Sequence, residues 1–118
     1  MPDILGWIHR GENNTNTTPA EVQQRITNGE QLYLLDVREP AEFSEGHMPG
    51  STLVPLGQLA YKLADLPRDR SIVAVCRSGN RSSVAVSMLQ KAGFTTVHNL
   101  QGGIIAWARS GGSMTRGK

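Results

Sequence analysis

The chain has 118 residues, which is enough for one domain with a hydrophobic core and too few for two domains of typical size. Twelve basic and ten acidic residues give a formal net charge of +2, and aromatic residues make up 5% of the chain. This near-balanced charge, without a basic run or a ladder of aromatic side chains, argues against nucleic-acid binding.

The first ten residues include the apolar side chains of Ile4, Leu5, Trp7 and Ile8, but they have no basic start and no long apolar core. They do not resemble a signal peptide, and no stretch of the sequence is predicted to span a membrane. We expect a short helix here that packs on the domain. Together with the polar linker that follows, residues 1–16 are predicted to form an N-terminal extension.

The domain is predicted to occupy residues 17–110 and to begin with a capped helix. Thr18 is a capping residue, Pro19 stands at the first helical position, and Glu21 follows at the third. We expect this helix to end near Asn28, and we expect a strand over residues 31–37.

The middle of the chain predicts a short helix over residues 40–44, a strand over 52–54 and a longer helix over 56–66. The apolar residues Leu56, Leu59, Ala60 and Leu63 would share one face of that longer helix. Residues 67–71 are polar and predict a turn.

An apolar strand is predicted over residues 72–75, and a helix over residues 82–89. A strand at 96–99 and a helix at 103–109 follow, and the glycine-containing segment 111–118 is expected to be disordered. Strands that alternate with helices predict an α/β fold, with a central parallel sheet that helices cover on both faces.

The only cysteine of the chain, Cys76, follows the apolar strand and precedes a short polar loop. In open α/β sheets, ligands bind at the carboxyl ends of the strands, where helix N-termini and loops present free backbone N–H groups. Cys76 is therefore the first candidate for a functional residue.

The loop that follows has the composition of a site that stabilises a thiolate. Arg77 and Arg81 supply positive charge, and a helix N-terminus adds a further positive potential. Gly79 and Asn80 tolerate positive φ, so the amides of residues 77–81 can curve around an anion. A buried structural cysteine is the alternative, but a Gly-Asn turn between two arginines favours a reactive thiol.

Four residues separate Cys76 from Arg81. Cysteine phosphatases use a loop one residue longer, which surrounds a tetrahedral phosphate. A smaller ring of amides suits one additional sulfur atom on the cysteine, a persulfide. Sulfur transfer is therefore favoured over the chemistry of a cysteine phosphatase or an arsenate reductase.

Three segments of the sequence together carry a family resemblance. They are the loop Cys76-Arg77-Ser78-Gly79-Asn80-Arg81-Ser82, the block 34–43 with the turn Gly46-His47-Met48-Pro49-Gly50-Ser51, and the closing block Gly102-Gly103-Ile104-Ile105-Ala106-Trp107. Their order and spacing resemble a single domain of the rhodanese family of sulfurtransferases. Ile104 stands where an aromatic residue is common and Ser51 where alanine is common, and both departures are interpreted as packing variation.

The resemblance implies a two-step sulfurtransferase that uses no cofactor. Cys76 would take the outer sulfur from a small anionic donor such as thiosulfate and pass it to a thiol or cyanide acceptor. A persulfidated thiol or a sulfur-relay protein is a further candidate donor. Arg77 is expected to meet the anionic donor, and Arg81 either binds the anion or braces the loop. A non-enzymatic interaction module on the same fold is the alternative.

Asp36 and Arg38 follow a predicted strand and should emerge at the same sheet edge as Cys76. They would lie behind the loop, either as an ion pair that braces it or as an acid–base pair. His47 could pair with the cysteine, but the resemblance implies that it is a turn residue. Trp107 is expected to pack in the core.

His9, His47 and His98 are too dispersed along the chain to predict a metal site. A single cysteine cannot form an internal disulfide, and a free reactive thiol suits a reducing compartment. A cytoplasmic location is therefore expected.

Overall fold

The computed structural model describes residues 15–117, so the helix predicted around Ile4, Leu5, Trp7 and Ile8 lies outside the described residues. The strands are β1 (Asn16–Thr17), β2 (Tyr33–Asp36), β3 (Thr52–Leu53), β4 (Ile72–Val75) and β5 (Val97–Leu100). The α-helices are α1 (Pro19–Thr27), α2 (Pro40–Glu45), α3 (Asn80–Lys91) and α4 (Gly103–Arg109). Two 3₁₀ helices, Leu56–Tyr61 and Leu63–Asp65, lie between β3 and β4.

The five strands form one parallel sheet in the order β1-β5-β4-β2-β3. This confirms the predicted α/β class. The central strand β4 is buried along its whole length, as expected for a parallel strand that is covered on both faces. Its carboxyl end delivers Cys76 to the edge of the sheet where the loops gather.

Helices cover the two faces of the sheet, and each face has its own apolar cluster. On one face, Val22 of α1 and Ile104 and Trp107 of α4 pack against the strands. On the other face, α3 and the first 3₁₀ helix pack against Cys76 and against alternate strand residues, which are Leu35, Ile72, Ala74 and Val97. Cys76 therefore points toward the face that α3 covers.

The start of α1 is capped as the sequence predicts. The hydroxyl of Thr18 accepts a hydrogen bond from the amide of Glu21 at 3.1 Å, and the Glu21 carboxylate accepts one from the amide of Thr18 at 2.9 Å. These two bonds satisfy backbone donors that the helix itself cannot pair.

The single helix predicted over residues 56–66 is wrong, because this segment forms two short 3₁₀ helices. The pairs Leu56/Leu59 and Leu63/Leu66 are three residues apart, which matches the three-residue turn of a 3₁₀ helix. Gly57 also weakens a longer α-helix.

The predicted linker is shorter at its carboxyl end than expected. Asn16 pairs with Asn99 in the register of β1 and β5, so it belongs to the sheet. The amide of Asn99 also donates to the carbonyl of Thr15. This edge strand was missed because two polar residues carry no apolar pattern.

The C-terminal segment was expected to be disordered, but residues 111–117 lie against the domain. Thr115 and His47 exchange two backbone hydrogen bonds, each 2.8 Å long, and the amide of Gly117 donates to Ser44. The indole Nε1 of Trp107 donates to the carbonyl of Ser113 at 2.8 Å. These partners are distant in sequence, and the composition of the segment carries no sign of them. For that reason the sequence alone predicts disorder here.

Within residues 15–117, no helix has the length and apolar character that a membrane crossing requires.

Candidate active site

The thiol of Cys76 lies where β4 ends and the loop to α3 begins. Only 1% of the residue is exposed to solvent. Its sulfur is nevertheless surrounded by polar donors rather than by apolar groups alone. The backbone amide of Gly79 donates to Sγ at 3.1 Å, and the hydroxyl of Ser82 lies 3.2 Å from Sγ.

The loop turns toward the sulfur at Gly79, which has φ of 110°. Only glycine adopts this conformation without steric cost, and it directs the Gly79 amide back toward Cys76. Asn80 was predicted to share the positive φ, but among the described residues only glycines have it. Asn80 is instead the first residue of α3, and its side chain is exposed.

Two opposing effects set the acidity of the thiol. Burial raises the pKa of Cys76, whereas hydrogen bonds from the Ser82 hydroxyl and from the amides of Ser82, Gly79 and Ser78 lower it. The hydrogen bonds together outweigh burial, so the pKa lies below the ordinary value for cysteine. The arrangement can therefore hold an anionic sulfur at a buried position.

The two arginines of the loop have different surroundings. Arg81 forms two hydrogen bonds with the carboxylate of Glu42, at 2.8 and 2.9 Å. Its charge is thus largely compensated, and it ties the start of α3 to α2. Arg77 is exposed and lines a cleft of about 190 Å³. Of the two cations, Arg77 is the one available to meet an anion from solvent.

The cleft beside Arg77 has walls of mixed character. Its lining residues are Arg38, Glu42, Glu45, Gly46, Arg77, Ile104, Ile105 and Met114. Met114 belongs to the C-terminal segment, so this segment contributes to the cleft. Met114 could not be predicted from the sequence, because its position depends on contacts between the segment and the turn at His47.

Asp36 and Arg38 form a buried ion pair at the carboxyl end of β2. The Arg38 guanidinium donates to both carboxylate oxygens of Asp36, at 2.8 to 3.2 Å, and to the carbonyl of Gly46 at 2.8 Å. The Asp36 carboxylate also accepts from the Arg38 amide. These bonds hold both side chains within the segment from Asp36 to Gly46. The pair therefore has a structural role, in which it braces this segment.

His47 makes its described contacts with α2 and with the C-terminal segment. Its Nδ1 lies 2.7 Å from the carbonyl of Phe43, and its ring stacks on the Phe43 ring at 3.6 Å between centroids. These contacts place His47 in the turn. They do not form the Cys–His pair that the sequence left open.

Two residues of the site, Ser82 and Asn99, have side-chain roles that the sequence analysis did not predict. The Ser82 hydroxyl faces the sulfur of Cys76, and the side chain of Asn99 contacts Ser82 from the neighbouring strand. A signal for Asn99 does exist, because it is a polar residue two positions after Val97 and so on the same buried face of β5.

The first turn of α4 supports the loop from its other side. The amides of Ile104 and Ile105 donate to the carbonyls of Cys76 and Arg77, at 2.9 and 3.2 Å. With these carbonyls held by α4, the amides that follow along the loop are directed toward the sulfur. In residues 15–117, no group of three or more His, Cys, Asp or Glu side chains could hold a metal ion.

The chain is similar in sequence to known proteins. Residues 18–110 match the family described as the rhodanese-like domain. The chain is 41% identical to a sulfurtransferase of Allochromatium vinosum over 90 residues, which cover 76% of this chain and 84% of that protein. It is 42% identical over 94 residues to the probable adenylyltransferase/sulfurtransferase MoeZ of Mycobacterium tuberculosis, and this match covers 78% of this chain but only 24% of MoeZ.

A solved structure extends the similarity to the fold. The crystal structure of a rhodanese-related protein from Thermoplasma volcanium superposes with a TM-score of 0.78 and 31% identity. The match covers 85% of this chain and 96% of that one.

Proposed function

Because the chain belongs to the family of rhodanese-like domains, we propose that it is a sulfurtransferase in which Cys76 carries one sulfane sulfur as a persulfide. The observation that carries the proposal is the ring of donors around one buried thiol. The Gly79 amide and the Ser82 hydroxyl both lie within 3.2 Å of Sγ. Preorganised donors of this kind stabilise a thiolate and an anionic sulfur attached to it.

In the first step, the Cys76 thiolate attacks the outer sulfur of a donor. With thiosulfate, a new S–S bond forms to Sγ, the S–S bond of thiosulfate breaks, and sulfite leaves with the bonding electron pair. With a persulfide donor, the leaving group is a thiolate. The negative charge moves from Sγ to the outer sulfur of the new persulfide.

In the second step, the acceptor attacks that outer sulfur. A thiolate acceptor becomes a persulfide, or cyanide becomes thiocyanate, and the S–S bond to Sγ breaks. Sγ takes back the electron pair and is again a thiolate held by the same donors. No general base is needed when the acceptor arrives as an anion.

Arg77 provides the charge that attracts an anionic donor or acceptor. It is exposed at the cleft of about 190 Å³, and its neighbour Arg81 is already paired with Glu42. Thiosulfate, a small persulfide and a protein persulfide all carry negative charge, so this feature fits each of them. The name of MoeZ combines two activities in one chain, which supports a sulfur-relay protein as the partner.

The test is a comparison of initial rates across donors. Thiosulfate and glutathione persulfide are paired with cyanide and dithiothreitol as acceptors, for the wild type and for Cys76→Ser. Ser83→Ala is the control, because Ser83 is exposed on α3. Parallel lines in double-reciprocal plots and complete loss in Cys76→Ser are expected. Wild-type protein that is inert with every donor, or activity kept in Cys76→Ser, would reject the proposal.

A further inference from the structure

Asn99 of β5 contacts two residues, Gly79 and Ser82, that each also donate a hydrogen bond to the sulfur of Cys76. Its Oδ1 accepts a hydrogen bond from the Ser82 hydroxyl, and its Nδ2 donates to the carbonyl of Gly79 at 3.3 Å. The residue is 7% exposed and lies on the same face of the sheet as Cys76, because it pairs with Ala74 in the register of β4 and β5. Asn99 thus contacts Ser82, which in turn contacts the reacting sulfur of Cys76.

The orientation of the Asn99 amide follows from its partners. The carbonyl of Gly79 can only accept, so the atom of Asn99 that faces it must be the nitrogen. The same Nδ2 also donates to Oδ1 of Asn16 at 3.1 Å, across the pair β1–β5. These two bonds direct Oδ1 of Asn99 toward Ser82.

The Ser82 hydroxyl has one proton and two acceptors within reach. One acceptor is Sγ of Cys76, 3.2 Å away, and the other is Oδ1 of Asn99. The hydroxyl can donate fully to only one of them at a time. A thiolate is the stronger acceptor because it is charged, whereas a sulfur bonded to a second sulfur is a weak one.

We propose that Asn99 is a positioning residue: it fixes the Gly79 residue through its carbonyl and orients the Ser82 hydroxyl beside the sulfur, and it receives the Ser82 hydrogen bond whenever Sγ is uncharged. The proposal rests on the proposed function for its place in the reaction. When the persulfide forms, charge leaves Sγ and the Ser82 O–H rotates to Asn99. When the thiolate returns, the O–H rotates back, and no proton changes its heavy atom.

Asn99→Asp adds one carboxylate near the sulfur, and the charged side chains already present at this edge of the sheet are unchanged in the tests that follow. They are Arg77 and Arg81 from the loop and α3, Glu42 from α2, and the pair of Asp36 with Arg38 from the end of β2. A change in the ionisation of Cys76 on altering Ser82 or Asn99 is therefore assigned to the altered residue.

The first test follows the side-chain amide of Asn99 by ¹⁵N NMR during a pH titration of the wild-type chain without any sulfur donor. The proposal predicts that its signals move with the midpoint at which the Cys76 thiolate absorbs in the ultraviolet. In Ser82→Ala, Cys76 still titrates, but the Asn99 signals should move by less than half as much. The side-chain amide of Asn28, exposed at the end of α1, is the internal control.

The proposal would be overturned if the Asn99 signals did not move during the titration of Cys76, or if they moved as far in Ser82→Ala as in the wild type. Since no donor is present, this result is independent of sulfur transfer. A chain that shows the coupling but transfers no sulfur would refute the proposed function alone. A chain that transfers sulfur without the coupling would refute the role of Asn99 alone.

The second test uses Asn99→Asp, which keeps the shape of the side chain. Its carboxylate accepts the Ser82 hydrogen bond more strongly, cannot donate to the Gly79 carbonyl, and places a negative charge near the sulfur, so all three changes disfavour the thiolate. Alkylation of Cys76 by iodoacetamide at neutral pH should slow by about tenfold, and by clearly less in the Ser82→Ala background. Asn28→Asp is the matched control. An equal effect of Asn99→Asp in both backgrounds would contradict coupling through Ser82.

Discussion

Gly103 lies directly against the carbonyl group of Cys76. A Cβ atom on residue 103 would come within 2.5 Å of the Cys76 carbonyl oxygen and within 2.4 Å of the Arg77 carbonyl oxygen. Gly103 also has φ of 62°, in the left-handed region that disfavours other residues. The close approach allows α4 to hold the carbonyl side of the loop, so that the amides remain free to face the sulfur.

Gly103→Ala should therefore damage the site through the backbone. The added methyl group displaces the Cys76–Arg77 segment, and we expect at least about a tenfold loss of kcat/KM together with about 1–3 kcal/mol of stability. Gly57→Ala is the matched control, because nothing lies within 4 Å of a Cβ there and its φ is not positive. Steady-state rates and urea unfolding measure both effects. Equal behaviour of the two variants would show that the contact with Gly103 does not position the loop.

Arg77→Gln should weaken the use of anionic donors. The exposed guanidinium lines the cleft and attracts negative charge, so its removal should raise KM for thiosulfate about tenfold while kcat changes little. The effect should shrink at high salt, because screening already weakens the attraction in the wild type. Arg68→Gln is the control, because it removes an exposed arginine that precedes the amino end of β4, whereas Cys76 follows the carboxyl end. An unchanged KM at low salt would contradict this role of Arg77.

The ion pair of Glu42 with Arg81 should give the fold a pH dependence in acid. The hydrogen bonds from Arg81 lower the pKa of Glu42 from 4.5 to about 2. A carboxylate with a lowered pKa stabilises the fold above its ordinary pKa, and this stabilisation is lost as the pH falls from about 4.5 toward 2. Because the pair is partly exposed to solvent, we expect a contribution of about 1 kcal/mol or less.

Glu42→Gln tests this ion pair by urea unfolding at neutral pH and at pH values below 4. The variant should be less stable than the wild type at neutral pH, and the difference should shrink in acid. Asp69→Asn, at an exposed residue of the polar turn, provides the comparison. A difference between wild type and Glu42→Gln that stays constant over the whole range would argue against the pair.

The contact of Trp107 with the C-terminal segment should stabilise the fold and should also hold the segment against the domain. Its indole donates to the carbonyl of Ser113, and a Cβ on Gly112 would overlap the indole ring. Trp107→Phe removes the hydrogen bond, so we expect a loss of about 1 kcal/mol or more and faster tryptic cleavage after Arg116. Tyr61→Phe, at a side chain that is 85% exposed, should change neither. Cleavage at the wild-type rate would mean that the segment is not held by Trp107.

The parts of this molecule that the sequence predicted are those that local chemistry determines. The cap at Thr18, the strand before Cys76 and the turn at Gly79 each depend on residues that are close together in the chain. The ion pair of Asp36 with Arg38 also joins residues that are two positions apart. The sequence predicts it as one of two possible roles for these residues, the other being an acid–base pair.

The parts that the sequence did not predict depend on partners that are far apart in the chain. Arg81 pairs with Glu42, which lies 39 residues earlier in the chain, and Asn99 contacts Ser82, which lies 17 residues earlier. Neither pairing has a local pattern, because it exists only when the helices are packed on the sheet. For the same reason, residues 111–117 resembled a disordered tail.

The central claim is that Cys76 carries a single sulfur atom. The most direct measurement is the intact mass of the reduced protein after one equivalent of a sulfur donor, followed by peptide mapping and by a second mass after cyanide is added. We predict a gain of one sulfur atom on the peptide that contains Cys76, and its loss with the appearance of thiocyanate. A mass that never changes with any donor, or a sulfur atom that is found in Cys76→Ser, would contradict the account.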